Sequence, residues 1–140
     1  MIRLDTNIIS ALRRDPADAR VVAWPDRQAP ETTWTTSISV YEVEFGLATM
    51  SEGRRRRALE DAFALVLSED IGGRVAAFDQ PAAMAAARLA AHRQRVGRPI
   101  DTHDTRIAGI AMSRRAAVVT RNVRHFQGVD VPVIDPWEAS

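Results

Sequence analysis

Short apolar runs alternate with longer amphipathic stretches along this chain, a pattern that predicts strands separated by helices. The first run, Met1-Ile2-Arg3-Leu4, is too short to be anything but a buried strand, and it stops at Asp5-Thr6-Asn7. A helical pattern of Ile8, Ile9 and Leu12 follows at once and runs to Arg13. A second spans Ala17 to Trp24 and ends before Pro25, because a residue preceding proline is steered away from the helical region. Asp26 to Glu31 reads as a loop. Thr32 to Ile38 is rich in β-branched and aromatic residues and predicts a second strand. From Ser39 the spacing of Val40, Val43 and Leu47 is helical to about Met50, and Ser39 with Glu42 has the Ser-x-x-Glu spacing of a capping box.

The second half repeats the alternation. Gly53 precedes Arg54-Arg55-Arg56-Arg57, which opens a helix through Leu59, Phe63 and Val66. Ser68 to Phe78 holds Gly72-Gly73, with a short strand expected over Val75 to Phe78. Asp79-Gln80-Pro81 starts a long Ala-rich helix that Gly97 ends, since Pro is tolerated in a first turn and Gly suits a helix stop. Asp101-Thr102-His103-Asp104 opens another helix with the stripe Ile107, Ala108, Ile110 and Ala111. Ala116 to Thr120 is a buried-strand pattern, Val123 to Asp130 a loop, and Val131 to Ile134 a last strand. Strands separated by helices make βαβ units. The expected fold is α/β, a three-layer α-β-α sandwich around a mostly parallel sheet of four or five strands, in one domain spanning 1–140.

Composition narrows the chemistry. The net charge of +1 gives no global field for a polyanion, so nucleic-acid contacts would rest on local patches. All 19 basic residues are Arg, which excludes lysine Schiff-base and general-base chemistry. There is no Cys, hence no disulfide, thiol nucleophile or thiolate metal site. Asp5 falls where a signal peptide needs its apolar stretch, and no run reaches the roughly 18–20 apolar residues of a membrane span. The expectation is a cytoplasmic protein with no membrane contact. The run Arg54–Arg57 reads as a solvated helix face or as a phosphate or partner contact.

Three polar corners carry acids at predicted helix starts: Asp5, Glu42 and Asp104. Each alone has a structural reading as a cap or a helix-dipole partner. In a parallel sheet, however, helix starts that follow strands share one rim, where these carboxylates would converge. Convergent carboxylates repel unless a cation neutralises them. Oxygen donors without Cys point to a hard ion, Mg²⁺ or Mn²⁺. Such a site suits phosphodiester hydrolysis, because a divalent ion acidifies water and neutralises phosphoryl oxygens. Scattered caps remain the alternative.

The chain resembles PIN-domain proteins, the VapC-type and FitB-like toxins of type II toxin–antitoxin pairs. The likeness rests on Leu-Asp-Thr-Asn at 4–7, Ser-Ile-Ser-Val-Tyr-Glu-Val-Glu-Phe-Gly at 37–46 and Asp-Thr-Arg-Ile-Ala at 104–108. It continues in Val-Val-Thr-Arg-Asn-Val-Arg-His-Phe at 118–126 and Val-Ile-Asp-Pro-Trp at 133–137. The resemblance implies a Mg²⁺-dependent endoribonuclease (Mn²⁺ as a substitute), inhibited by a cognate antitoxin. It implies a homodimer that meets operator DNA only through the antitoxin complex. Asp5 and Asp104 would hold the metal and Glu42 would complete the catalytic acids by orienting water or acting as base. Thr6 and Asn7 would orient Asp5.

One departure stands out. Many relatives of this kind carry a fourth acid in the corner after Val-Val-Thr-Arg, where this chain has Asn122, an amide without charge. One resident ion, or a second recruited only with RNA phosphate, is therefore expected rather than a permanent pair. Asp101 is a substitute acid or, by its position, the cap of the following helix. Thr120 and Arg121 line the same corner, within reach of a phosphate. His103 and His125 are expected to face solvent or RNA. Two other functions compete: a non-catalytic module regulating operator DNA with its antitoxin, and a deoxyribonuclease of the flap-nuclease kind, for which the chain is short. An antitoxin tail is expected against the helices bearing Val40, Phe45 and Leu47, and Leu59 and Phe63, with a basic side chain reaching the acids.

Overall fold

A computed structural model of the chain describes residues 2–6, 33–98 and 100–135. Asn7 and the helical segments expected over Ile8–Arg13 and Ala17–Trp24 lie outside the described residues. The described elements run β1 (Arg3–Asp5), β2 (Thr33–Thr36), α1 (Ser37–Ala48), α2 (Arg54–Leu65), β3 (Val75–Ala76), α3 (Gln80–Arg95), α4 (Thr102–Arg114), β4 (Ala117–Val119) and β5 (Val133–Ile134). A 3₁₀ turn at Val123–Phe126 links β4 to β5, and α2 continues as a widened turn over Val66–Asp70.

The five strands form one sheet in the order β3-β2-β1-β4-β5. Every pairing is parallel, including Leu4 opposite Trp34 on one side and Val118 on the other. With four helices flanking the sheet, this is the α/β architecture the alternation predicts. The strand order reverses beside β1: the chain builds outward to β2 and β3, then returns to place β4 on the opposite flank. The crevice at the carboxyl ends of β1 and β4 is thus the switch point where open α/β sheets bind ligands.

Burial explains why the short runs become strands. Leu4, Val118 and Val119 are fully enclosed, as in a sheet covered on both faces. Leu4 and Val118 pack with Ile107, Ile110 and Phe126 in the main cluster, while Val43, Leu47 and Phe63 form a second one between α1 and α2. Removing a large ring such as Phe63 costs about 3–5 kcal/mol in such a setting. Helices α3 and α4 run antiparallel at very close range. A Cβ on Gly109 would lie 2.5 Å from the Ala82 carbonyl oxygen and 2.6 Å from the Ala86 Cβ, so only glycine fits that crossing.

Several boundaries differ from the sequence pattern. The second strand ends at Thr36 rather than Ile38, because Ile38 turns inward from α1 to the main cluster. The helix is capped by Thr36, whose hydroxyl accepts from the Ser39 N–H at 3.1 Å, so the Ser39–Glu42 capping box does not form. The strands expected over 75–78, 116–120 and 131–134 shorten to Val75–Ala76, Ala117–Val119 and Val133–Ile134. The widened turn to Asp70 extends α2 into the expected Ser68 loop, and the 3₁₀ turn occupies the expected loop after β4. Asp79 and Asp101 cap α3 and α4 as the sequence indicates.

Candidate functional site

Asp5 ends the central strand at the switch point and is 7% exposed. The next residue fixes it there. Thr6 donates both its N–H and its hydroxyl to the Val119 carbonyl, each at 3.0 Å, which ties the exit of β1 to β4. Thr6 therefore supports Asp5 through the strand junction.

Glu42 lies in the second turn of α1. With Thr36 as the cap, the helix start needs nothing from it, and its structural role as a capping partner disappears. Burial pushes its carboxyl above the usual carboxylate range; Asp104 and Asp101 act in the same direction and His103 opposes them. The first turn of α4 lies against the second turn of α1. His103 Nδ1 is 3.8 Å from Glu42 Oε1. The Tyr41 ring meets His103 edge-on at 5.7 Å and stacks on Phe45 at 6.1 Å, so Glu42 emerges beside an exposed aromatic ridge.

Asp104 is held more firmly. Its N–H donates to Asp101 Oδ1 at 3.1 Å, the cap bond of α4. Its own Oδ2 meets His125 Nδ1 at 2.5 Å. His125 arrives on the 3₁₀ turn after β4, and its N–H donates to the Asn122 carbonyl at 2.9 Å. The two histidines expected to face solvent or RNA therefore both lie against acids, because α4 and the 3₁₀ turn deliver them to one rim.

The other corner residues shape the backbone. Thr120 is buried, its hydroxyl accepting from the Asn122 N–H at 3.0 Å and its N–H donating to the Ile134 carbonyl at 2.9 Å. That bonding turns the corner instead of presenting the hydroxyl to a phosphate. Asn122 and Arg121 are exposed. Sequence reasoning missed Arg93, which is buried on α3 and reaches Thr105, His125 and Gln127. Its place on an Ala-rich helix among other arginines gives no local sign of this.

Among the described residues no three acids or histidines are pre-gathered into a metal-binding group. The donor chemistry nonetheless fits a hard cation: carboxylates with no thiolate, and a Glu42 carboxyl raised partly by its neighbours' charge. A cation would offset that repulsion. No described helix is long and apolar enough to cross a membrane.

Known proteins resemble this chain in sequence and fold. The PIN domain sequence profile matches residues 2–131. The chain is 37% identical to plasmid stability protein StbB of Pseudomonas syringae pv. tomato, covering 99% of this chain and 100% of that one. It is also 37% identical to VapC ribonuclease Y4jK of Sinorhizobium fredii, covering 99% of each. Among solved structures, FitAB bound to an IR36 DNA fragment aligns with a TM-score of 0.84 at 33% identity, covering 98% of this chain and 96% of that chain. A profile match across nearly the whole chain, together with relatives matched end to end, makes this protein a member of the PIN domain family.

Proposed function

We propose that this chain is a metal-dependent endoribonuclease, the toxin of a type II toxin–antitoxin pair. The observation that carries the reading is that Asp104 and Glu42 lie within electrostatic reach of each other on the side of the sheet where Asp5 ends β1, with the Glu42 carboxyl raised by burial and by the neighbouring charges. The relatives named as a ribonuclease and as part of a DNA-bound pair support the same reading.

Asp5 and Asp104 would hold Mg²⁺, with Mn²⁺ as a substitute. When bound, the ion supplies charge neutralisation at phosphoryl oxygens and acidifies water toward neutral pH. Asp104 would offer its carboxylate in the orientation that His125 sets, and Asp5 its own from the end of a buried strand. Glu42 takes the proton of the attacking water, since a carboxyl raised above its ordinary range is better matched to proton transfer near neutrality. Asn122 adds no charge, which favours one resident ion.

The exposed Tyr41–Phe45 ridge is the expected seat of an antitoxin tail, with a basic side chain extending to Glu42 and Asp104. Leu47 and Phe63 belong instead to the core between α1 and α2, and Val40 and Leu59 flank it. A homodimer in the cytoplasm, contacting operator DNA through the antitoxin, completes the proposal. The amide at Asn122 favours a second reading, a binding module without catalysis.

Cleavage of total RNA by the antitoxin-free chain separates the two. Mg²⁺-dependent cleavage is expected, lost on chelation and in Asp5→Asn or Asp104→Asn, and reduced about 10²–10⁴-fold in Glu42→Gln. No cleavage by the folded wild type would favour the binding module. Full cleavage by both aspartate variants would overturn the site.

A further inference from the structure

The Asp104 carboxylate is engaged by an imidazole at hydrogen-bond distance, and the residue behind that imidazole is a buried arginine. A carboxylate only accepts hydrogen bonds, so the 2.5 Å contact requires the proton on His125 Nδ1. His125 itself sits on a short turn that must be held for this bond to have a fixed direction. Phe126, 1% exposed, anchors one side of the turn in the main core. Arg93 holds the other side, with Nη2 donating to the His125 carbonyl at 2.8 Å and to the Gln127 carbonyl at 3.4 Å. Its Nη1 donates to Thr105 Oγ1 at 3.1 Å, and that hydroxyl donates in turn to the Asp101 carbonyl at 3.0 Å.

One guanidinium thus joins α3, the first turn of α4 and the turn after β4. Arginine suits this place because its planar fork serves several acceptors at fixed angles while staying charged. Enclosing that charge is costly unless it is well bonded. Burial disfavours the charge, and Asp104 opposes that effect in part. The arrangement uses three carbonyl or hydroxyl acceptors where a simple helix contact would need none.

We propose that His125 and Arg93 are positioning residues for Asp104: His125 fixes the carboxylate by occupying Oδ2, which would leave Oδ1 for a cation, and Arg93 holds the turn that carries His125. The inference rests on the reading of Asp104 as a ligand for Mg²⁺ or Mn²⁺. A carboxylate free to rotate loses affinity, and removing a partner that orients a metal ligand costs about 10–100-fold in affinity or activity. Neither residue touches the phosphate in this account. Their loss should lower kcat and metal affinity while leaving KM for RNA near its wild-type value.

The test is Mn²⁺ binding to the full, antitoxin-free chain without RNA, read by electron paramagnetic resonance, with thermal melts to verify folding. His125→Leu should weaken Mn²⁺ binding about 10–100-fold. His125→Asn should restore most of it, since an asparagine Nδ2 stands one bond from Cγ, as the imidazole Nδ1 does. Arg93→Lys, which keeps the charge but not the fork, should fall between wild type and His125→Leu. Wild-type affinity in folded His125→Leu would overturn the inference, and so would an Asn variant no better than Leu. Asp104→Asn is the control that separates the two levels. Unchanged Mn²⁺ binding in that variant would remove the ligand reading and this inference with it. Loss there with no effect at His125 would remove the inference alone.

Discussion

Asp104 and Glu42 lie within electrostatic reach of each other, yet the protein holds them by opposite means. Asp104 stands in a helix first turn with its N–H capped by Asp101 and its carboxylate bonded to His125. From behind, Arg93 ties the His125 carbonyl to Thr105, whose hydroxyl donates to the Asp101 carbonyl. Glu42 stands on a free helix face, with its side chain 34% exposed and His103 at 3.8 Å as its partner. The first arrangement fixes a direction and the second leaves a carboxyl with room to move. A ligand to a cation benefits from the former, because its orientation is set before binding. A group that exchanges protons benefits from the latter, particularly when burial and nearby charge have raised it. The comparison divides the labour between two acids of the same chemistry.

Substitutions that disturb one side and leave the other in place would break this contrast. The largest stability effect is expected from Gly109→Ala on the braced side. The added methyl would meet the Ala82 carbonyl and the Ala86 Cβ at 2.5 and 2.6 Å, prising α3 from α4. Overpacking of this kind costs about 1–3 kcal/mol. Because Arg93 rides on α3, RNA cleavage should fall with it; urea unfolding and cleavage assays on the same preparation measure both. Thr36→Ala acts on the other side by removing the cap of α1, at about 0.5–2 kcal/mol. Glu42 lies a turn further on, so the helix should fray without loss of Mn²⁺ affinity, which titration of the variant would check.

The smallest effect concerns pH and carries a definite sign. The folded pKa of Glu42 is raised above its ordinary 4.5, so the ionised form is disfavoured in the folded chain. At neutral pH the wild type bears a destabilisation that Glu42→Gln lacks, and the variant should melt higher in the absence of metal. As pH falls through the raised pKa and below 4.5, both folded and unfolded states become protonated and the difference should vanish. Melting curves from pH 7 to 4 read it directly. A Gln variant melting below the wild type at pH 7 would contradict the raised value.

The sequence makes the frame of this site readable and leaves its bracing hidden. Ala117–Val119 declares itself as a short, wholly apolar run, and β1 by the enclosed Leu4 just before the acid that ends it. The Asp79 and Asp101 caps are equally legible, each an acid immediately before a helical stripe. The cap of α1 misleads because Thr36 is at once the last strand residue and the first helix partner. A β-branched run thus conceals the boundary, and Ser39-x-x-Glu42 offers a more familiar signal three residues late. That error bears on function, since it assigned Glu42 a structural duty it does not have. His125 and Asp104 are 21 residues apart and Arg93 and His125 are 32 apart, with nothing local to link them. Such pairs appear only when the sheet order brings the turn after β4 against α3 and α4.

The proposed function turns on Asp5 and Asp104 holding a resident cation at the switch point between β1 and β4, where Asn122 adds no charge. Anomalous diffraction from crystals of the antitoxin-free chain grown with Mn²⁺ tests it directly. The account predicts a single peak in contact with both carboxylates, absent in Asp104→Asn. A peak elsewhere, or none in a crystal whose protein cleaves RNA in Mn²⁺, would contradict it.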